Sequence, residues 1–421
     1  MQATQPRLPA DYDVFARRVV ASGVLTDPWI DGEPRFRAAP LVVPADRAAA
    51  LASAGALIAA AYHELCLLVE DEPRFLDDFF QLTPHQRLLW EASKPVWHGL
   101  ARADLFFTAD GLACAELNCD TPTGEAEAVV LGALAHADHP HLGNPNQDLE
   151  RRFCALVELV SKRELARPPP GPLRVGLVYP TEFTEDLSLV RLYKKWFEAR
   201  GWSVVLGSPY NLTSTSDGVA LFGRPIDVML RHYKTDWWTE RASAWDDDEL
   251  PDQAPLEGPL RVMLGGMASG TLAVVNPLGA VLAQNKRAMA FLWEHLHRFS
   301  LASQRTIEQL VPFTSRLETL HREQLVAEQR EWVLKSDYGA EGEEVVVGRA
   351  VDRGTWLASL EHARPGRWVA QRHFEAETNA AGEVANYGVF LIAGEPAGLY
   401  VREQVGPTDA SAVSVPVLLG E

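Results

Sequence analysis

Apolar positions change their spacing several times along the chain. The run Asp46 to Leu68 is rich in Ala and Leu and predicts a helix. Thr83 precedes PHQRLLWEASKPVW as an N-cap, with Pro84 at the first helical position. The period then falls to two. RADLFFT (102–108) and LACAELN (112–118) alternate around an Asp-Gly turn, which is the pattern of a hairpin. Helical spacing returns from Gly124 to Ala135 and from Asp148 to Leu165, then stops before RPPPGP (167–172), a stiff connector.

Beyond that connector, RVGLVY (174–179), a helix from Glu185 to Arg200, WSVVLG and IDVMLRHY (226–233) predict the start of a parallel α/β lobe. GGMASG (265–270) lacks the ending of a phosphate-binding P-loop and predicts a turn. Leu278 to Phe299 predicts one long helix, and another is expected around Ser315 to Gln329. From Trp332 the segments WVLKSDYG, EEVVVGR, RWVAQRHF, NYGVFLI and GLYVREQV predict strands, with one helix near Asp352 to His362. The pattern divides the chain at 1–170, 171–277 and 278–421.

A length of 421 residues is too great for one ordinary core, and the composition, 47% hydrophobic and 23% charged, suits a soluble chain. No apolar run approaches the roughly 20 residues of a membrane span, and the opening MQATQPRLPADYD lacks the basic and apolar regions of a signal peptide. A cytoplasmic protein without a membrane partner is expected. The net charge of −18, with no basic stripe, argues against nucleic acid and favours a cationic small molecule. Four cysteines without CxxC spacing fit a reducing compartment, and Cys119, flanked by acid, reads as a passive small residue. The stretch 245–259 (WDDDELPDQAPLEGP) reads as a solvated acidic loop, and HADHPHLG (136–143) as the end of a helix rather than a zinc site. Oligomeric state stays open, a homodimer included.

The hairpin carries the first candidate chemistry. A two-residue turn at Asp110-Gly111 would put Glu116 and Asn118 on a face with Leu105 and Ala103. A three-residue turn, Ala109-Asp110-Gly111, instead collects Ala103, Leu105, Phe107, Ala113, Ala115 and Leu117 on one apolar face. It pairs Asp104 with Glu116 and Arg102 with Asn118 on the other. Two carboxylates then stand opposite each other, which is destabilising without a cation between them. Asp104, Glu116 and Asn118 offer only hard oxygens, the donor set of Mg²⁺; the alternative is a hairpin in which Arg102 neutralises the acids.

A second candidate is WVLKSDYGAEGEEVVVGR (332–349). Lys335 ends an apolar strand, and Gly339 and Gly342 open a turn whose backbone N–H groups can fold over phosphates. Lys286 lies in AQNKRAMAFLW. Together RxD, the spacing from Asp104 to Glu116, ExNxDTPT, NKRAMAFLWE, KSDYGAEG, RWVAQ and YVREQ resemble the synthetase part of the glutathionylspermidine synthase family, in the ATP-grasp superfamily. The acidic residues precede the lysines, as in the circularly permuted version. The resemblance implies an α/β fold: a permuted ATP-grasp with a Rossmann-like pre-ATP-grasp lobe at 171–277.

It further implies ATP and Mg²⁺ as cofactors and amide formation through an acyl phosphate, between a peptide-like carboxylate and an amine such as a polyamine. Asp104, Glu116 and Asn118 would hold the metal, while Lys286, Lys335, Gly339 and Gly342 would meet the phosphates. Gln371 would pass the adenine. Arg102 and Arg402 would face the reacting group, Asp120, Thr121 and Thr123 the peptide-like substrate, and Glu185 with Asp186 the amine. RHYKTDWW (231–238) resembles a substrate-lobe segment of the family. The loop reads Gly339-Ala340-Glu341-Gly342 where the family has Gly-Arg-Glu-Gly, so it lacks a charge that could hold a donor carboxylate. A ligase for another amine, such as an amino acid or peptide, and a nucleotide-binding protein without catalysis stay open beside the main expectation.

Overall fold

The computed structural model describes residues 12–30, 32–182, 184–240, 254–339, 345–363, 365–408 and 411–420. Its largest sheet has five antiparallel strands in the order Val413–Val415, Glu395–Val405, Glu383–Ile392, Leu100–Thr108, Gly111–Asn118. Strands from the last fifth of the chain thus flank the early hairpin. One face of this sheet, with Ala103, Leu105, Leu117, Val389 and Leu391, is buried in the same core as Leu51, Ala54, Ile58 and Leu65 of the helix Ala45–Asp71. That helix is apolar enough to meet the length and composition of a membrane span, contrary to the sequence expectation, but half of its most apolar window is buried inside the fold. Period-2 burial makes the opposite face of the sheet free for polar work.

A second sheet of four antiparallel strands runs Thr314–Arg316, Trp368–Arg372, Trp332–Ser336, Val345–Val347. It has its own core of Trp332, Leu334, Ala370, Trp356 and Leu360, the last two from the helix Arg353–His362, which Asp352 caps by accepting from Thr355 N at 2.9 Å. A third sheet is parallel, in the order Ala273–Val275, Val228–Arg231, Arg174–Val178, Ser203–Gly207, with the helix Leu187–Ala199 between its first two strands in sequence. Its strand order reverses between Arg174–Val178 and Val228–Arg231, the place where open α/β sheets form a crevice. A three-stranded ribbon at Leu212–Ile226, not expected from the sequence, follows this sheet's edge strand.

Several expected elements form as read, including the Thr83 cap, which is a reciprocal capping box with Gln86. Others differ. The expected long helix from Leu278 breaks into Ala280–Ala283 and Arg287–Glu294, with Lys286 at the second N-cap. The interruption accommodates the buried polar groups Asn285 and Lys286, with half-buried Gln284 before them. Thr314–Arg316 is a strand rather than the start of a helix, because it pairs with Trp368–Arg372. GGMASG is not a turn throughout: Gly265 to Ala268 form the last turn of the helix Glu257–Ala268, and a Cβ at Gly266 would strike Val219 and Leu272.

One side chain after the parallel sheet holds both ends of the hairpin. Asn276, just after the strand Ala273–Val275, accepts from Gly99 N and Leu100 N at 3.2 and 2.8 Å. Its amide donates to Leu100, Cys119 and Asp120 carbonyls at 2.8, 3.2 and 3.0 Å. Both ends of the hairpin therefore hang on one buried carboxamide. Asn276→Ala is expected to lower the urea midpoint by the equivalent of about 2–4 kcal/mol, since several buried backbone groups lose their partner, with the slope of the transition unchanged.

Candidate active site

The polar face of the five-stranded sheet is set by a bulge. Arg102 pairs with Asn118 and Asp104 with Glu116, as the three-residue turn predicts. The register then shifts after Asp104, so that Leu105 faces Cys114 and Thr108 faces Gly111. The turn is the two residues Ala109-Asp110, and the extra residue, Ala115, is absorbed beside the site rather than at the tip. This corrects the expected apolar face: Cys114, not Ala115, faces Leu105. A bulge bends its strand and frees backbone groups. The freed Ala115 carbonyl accepts from Lys335 Nζ at 2.9 Å, which joins the second sheet to the first.

The two facing carboxylates are met by cations from separate segments. Arg102 donates from Nε and Nη2 to both oxygens of Asp104 at 2.6 and 2.8 Å, and from Nη1 to the Thr123 carbonyl at 2.7 Å. Arg402 stands 3.7 Å from the same carboxylate. Burial opposes the Arg102 charge, but Asp104 outweighs it and raises the guanidinium pKa. Gly388, opposite Asp104, leaves room for this arginine, because a Cβ there would lie 2.7 Å from Arg102 Cδ. Lys286 Nζ lies 3.6 Å from Glu116 and donates to the Gly339 carbonyl.

Burial pushes Glu116 upward, but Lys286, Lys335, the Asn118 amide and Arg102 together hold its carboxyl down at about 2. Lys335, buried between the sheets, is pushed down to about 8 by desolvation, with Glu116 opposing. Arg102, Glu116, Asn118 and Lys335 line a cleft of about 1030 Å³ where the three sheets converge. That volume is at the upper end for a single small ligand, roughly 300–1,000 Å³, and admits a nucleotide with a second substrate.

The cleft brings together most of the predicted residues. Arg102, Asp104, Glu116, Asn118, Asp120, Thr121, Thr123, Glu185, Asp186, Lys335, Gly339, Gln371 and Arg402 all line it, and Lys286 reaches its corner through Glu116. Gly342 and Ala340 lie outside the described residues, while the strand Val345–Val347 that follows pairs with Trp332–Ser336 and closes the expected hairpin.

Asp120 departs from its expected role. One of its oxygens accepts from Arg231 at 2.5 Å and the other from Thr235 N and Oγ1 at 2.7 and 3.0 Å. It is a buried clamp between the hairpin and the parallel lobe, with three hydrogen bonds committed there. Asp186 pairs with His232 at 3.1 Å; burial opposes both charges, but the partner's charge lowers the Asp186 pKa and raises that of His232. Glu185 beside it is exposed to the cleft. Gln371 turns its amide nitrogen to Thr314 Oγ1 at 3.1 Å.

The residues present fit a divalent cation. Among the described residues no cluster of three or more His, Cys, Asp or Glu side chains has metal-binding arrangement, so the set rests on Asp104, Glu116 and carboxamide oxygens. Asp104 is already bonded by Arg102, and Asn118 Oδ1 accepts from Gln284 at 3.3 Å, yet carboxylate and amide oxygens keep further lone pairs. Hard oxygens of this kind match the chemistry of Mg²⁺, and the Asn386 amide beside them donates to Asp104 at 3.4 Å.

Sequence reading missed Gln284, Asn386 and Glu125. Gln284 Oε1 accepts from Cys119 N and Asp120 N at 2.8 and 3.1 Å and so fixes the end of the hairpin. Its one signal was a polar residue inside the apolar run that was read as a helix. Glu125, at the first position of the helix Glu125–Asp138, is fully buried behind the Thr121–Thr123 loop and accepts from Tyr193 at 3.3 Å. The preceding Gly124 has φ +101° and lies against the Tyr400 ring, where any Cβ would clash, so the loop can press onto the sheet.

Burial pushes the Glu125 carboxyl up to about 7. Between its ordinary value near 4.5 and about 7 the folded chain binds more protons than the unfolded one, so stability falls as pH rises through that window. Glu125→Gln is therefore expected to exceed the wild type by on the order of 1–3 kcal/mol at pH 8 and to match it below about pH 4.5, measured by urea unfolding.

Comparison with known proteins agrees with this geometry. The profile of the family described as glutathionylspermidine synthase preATP-grasp matches residues 79–419. Among solved structures, a glutathione synthetase-like effector from Globodera pallida in its apo form is similar over 100% of both chains, with 11% identity and a TM-score of 0.57. A RimK domain ATP-grasp protein from Sphaerobacter thermophilus DSM 20745 aligns over 58% of this chain and 89% of its own, with 20% identity and a TM-score of 0.31. No curated protein is similar enough in sequence to be matched. At 11% identity the first likeness speaks to the fold alone. Because the matched span contains all three sheets, the chain belongs to the glutathionylspermidine synthase family through its pre-ATP-grasp region, and its α/β fold is a circularly permuted ATP-grasp with a Rossmann-like lobe.

Proposed function

We propose that this chain is an ATP- and Mg²⁺-dependent ligase that joins a peptide-like carboxylate to an amine and releases ADP and phosphate. Family membership supports an ATP-grasp-type ligase; the donor and acceptor classes are our reading. One observation carries it: Lys335 and Lys286 converge on Glu116 beside the Asp104–Arg102 pair, so cations for phosphate and hard oxygens for a metal share one corner of a large cleft.

When bound at Asp104, Glu116 and Asn118, Mg²⁺ supplies neutralising charge to phosphate oxygens. Lys335 and Lys286 add positive charge for the phosphates, and the low dielectric of the buried corner strengthens both. Arg402, partly exposed, orients the transferring phosphoryl group. Arg102 holds the loop at Thr123, where the donor carboxylate is positioned by Thr121 and Thr123.

A donor oxygen attacks the γ-phosphorus and ADP leaves; the amine nitrogen then attacks the acyl carbon and phosphate leaves. The amine arrives as a cation and is attracted by Glu185 and Asp186 at the crevice of the parallel sheet, then loses a proton before it attacks. The preformed cleft aligns the amine with the acyl phosphate.

The test is an ADP-release screen over paired carboxylates and amines. ADP release is expected to require Mg²⁺ and an accepted amine, and Glu116→Ala is expected to lower it by about 100-fold or more. A wild-type protein that shows no Mg²⁺-dependent ATP binding by calorimetry overturns the reading at its first step.

A further inference from the structure

One end of the cleft holds a histidine with a carboxylate partner. His232 follows the strand Val228–Arg231 at the carboxyl end of the parallel sheet, and its backbone N–H donates to the Val178 carbonyl of the neighbouring strand at 2.7 Å. Its Nε2 lies 3.1 Å from Asp186 Oδ1. Asp186 is the N-cap residue of the helix Leu187–Ala199, where the helix dipole favours a negative charge. Both side chains line the cleft, together with Thr123, Pro180 and Glu185. The His232 side chain is 10% exposed, and Nδ1 is not one of the sealed, unpartnered polar atoms, so it is open to the cleft that the residue lines. An imidazole held by one nitrogen, with the other presented to a cleft, is ready to accept a proton.

The remaining charges around the ring come from its own strand and from one further helix. Glu125, at the start of Glu125–Asp138, is sealed behind the Thr121–Thr123 loop, and Arg231 is committed to Asp120 and the Tyr233 carbonyl at 2.5 and 2.6 Å. Burial lowers the His232 pKa and Arg231 lowers it further, but Asp186 and Glu125 outweigh both and raise it above 6.5. An imidazole is a better match to an ammonium proton than an ordinary carboxylate, whose pKa is about 4. Glu185, exposed to the cleft, is left to attract the cation, with His232 in the same wall.

We propose that His232, oriented by Asp186, is the base that takes the proton from the acceptor amine. The inference rests on the ligase reading and names the proton acceptor that a cationic amine needs before it attacks. One ammonium proton passes to Nδ1, and the freed lone pair forms the C–N bond as the bond from the acyl carbon to the phosphate oxygen breaks. A second proton leaves the nitrogen as the amide forms and departs on the phosphate. The imidazolium then returns its proton to water. Asp186 is a positioning residue, acting through the ring.

The test compares two acceptors, using the carboxylate that gives most ADP release from the wild-type chain. One acceptor is the cationic amine that it joins best; the other is hydroxylamine, which is neutral at pH 7 and brings no ammonium proton. His232→Gln, which can still donate to Asp186, is expected to lower kcat with the cationic amine by about 100-fold or more at pH 7, and with hydroxylamine by less than about threefold. In the wild type, kcat with the cationic amine is expected to rise with pH through one group above 6.5; His232→Gln loses that rise, and Asp186→Asn moves it to lower pH. Equal losses with both acceptors would show that His232 serves the fold or the acyl phosphate, and unchanged turnover of the cationic amine would show that its proton goes elsewhere. Either result overturns the proposal and leaves the ligase reading standing. If the wild type forms neither amide nor hydroxamate with any carboxylate, the ligase reading falls and the proposal with it.

Discussion

Two carboxylates facing each other across a strand pair are the constraint on which this structure depends. Asp104 and Glu116 repel one another, and a sheet that held them without counter-charge would be less stable than one with neutral residues. The fold answers with cations brought from four places: Arg102 from the same strand, Arg402 from a strand almost 300 residues later, Lys286 from the break before Arg287–Glu294 and Lys335 from the second sheet. Buried ion pairs add little net stability, because desolvation offsets the attraction. Their value here is a charged surface held in place, ready to exchange protein partners for those of a ligand.

Small backbone features make that arrangement possible. The bulge at Ala115 turns one carbonyl toward Lys335, Gly388 clears the space that the Arg102 side chain fills, and Gly124 lets the Thr121–Thr123 loop press on Tyr400. The same strand pairings place Asn386 beside Asp104, and Arg402 next to it.

Farther out, Asn276 and Asp120 bind the hairpin to the parallel lobe, and Gln284 holds its end against the break before Arg287–Glu294. Because the same residues that end the hairpin also anchor the lobe, the crevice beside Asp186 and His232 opens into the same cleft as the lysines. Proximity of a cationic corner and an acidic crevice is what the proposed ligase for a carboxylate and a cationic amine requires.

The alternation of LACAELN against RADLFFT was enough to pair Asp104 with Glu116 and Arg102 with Asn118, since period-2 side-chain direction is local. The residue order around Lys286, Lys335 and the strands after Trp332 was likewise legible, as was the parallel lobe. The rest was not, because it depends on groups distant in sequence. Whether Asp120 meets substrate or Arg231, whether the run from Leu278 stays helical, and where the hairpin absorbs its extra residue are decided by buried polar groups finding partners across the fold. Nothing in NYGVFLI marks Asn386 as polar chemistry rather than a strand's first residue. The sequence by itself determined which side chains share a face; only the tertiary structure decided which of them were already paired and with what, because pairing is satisfied between strands and lobes that local pattern cannot see.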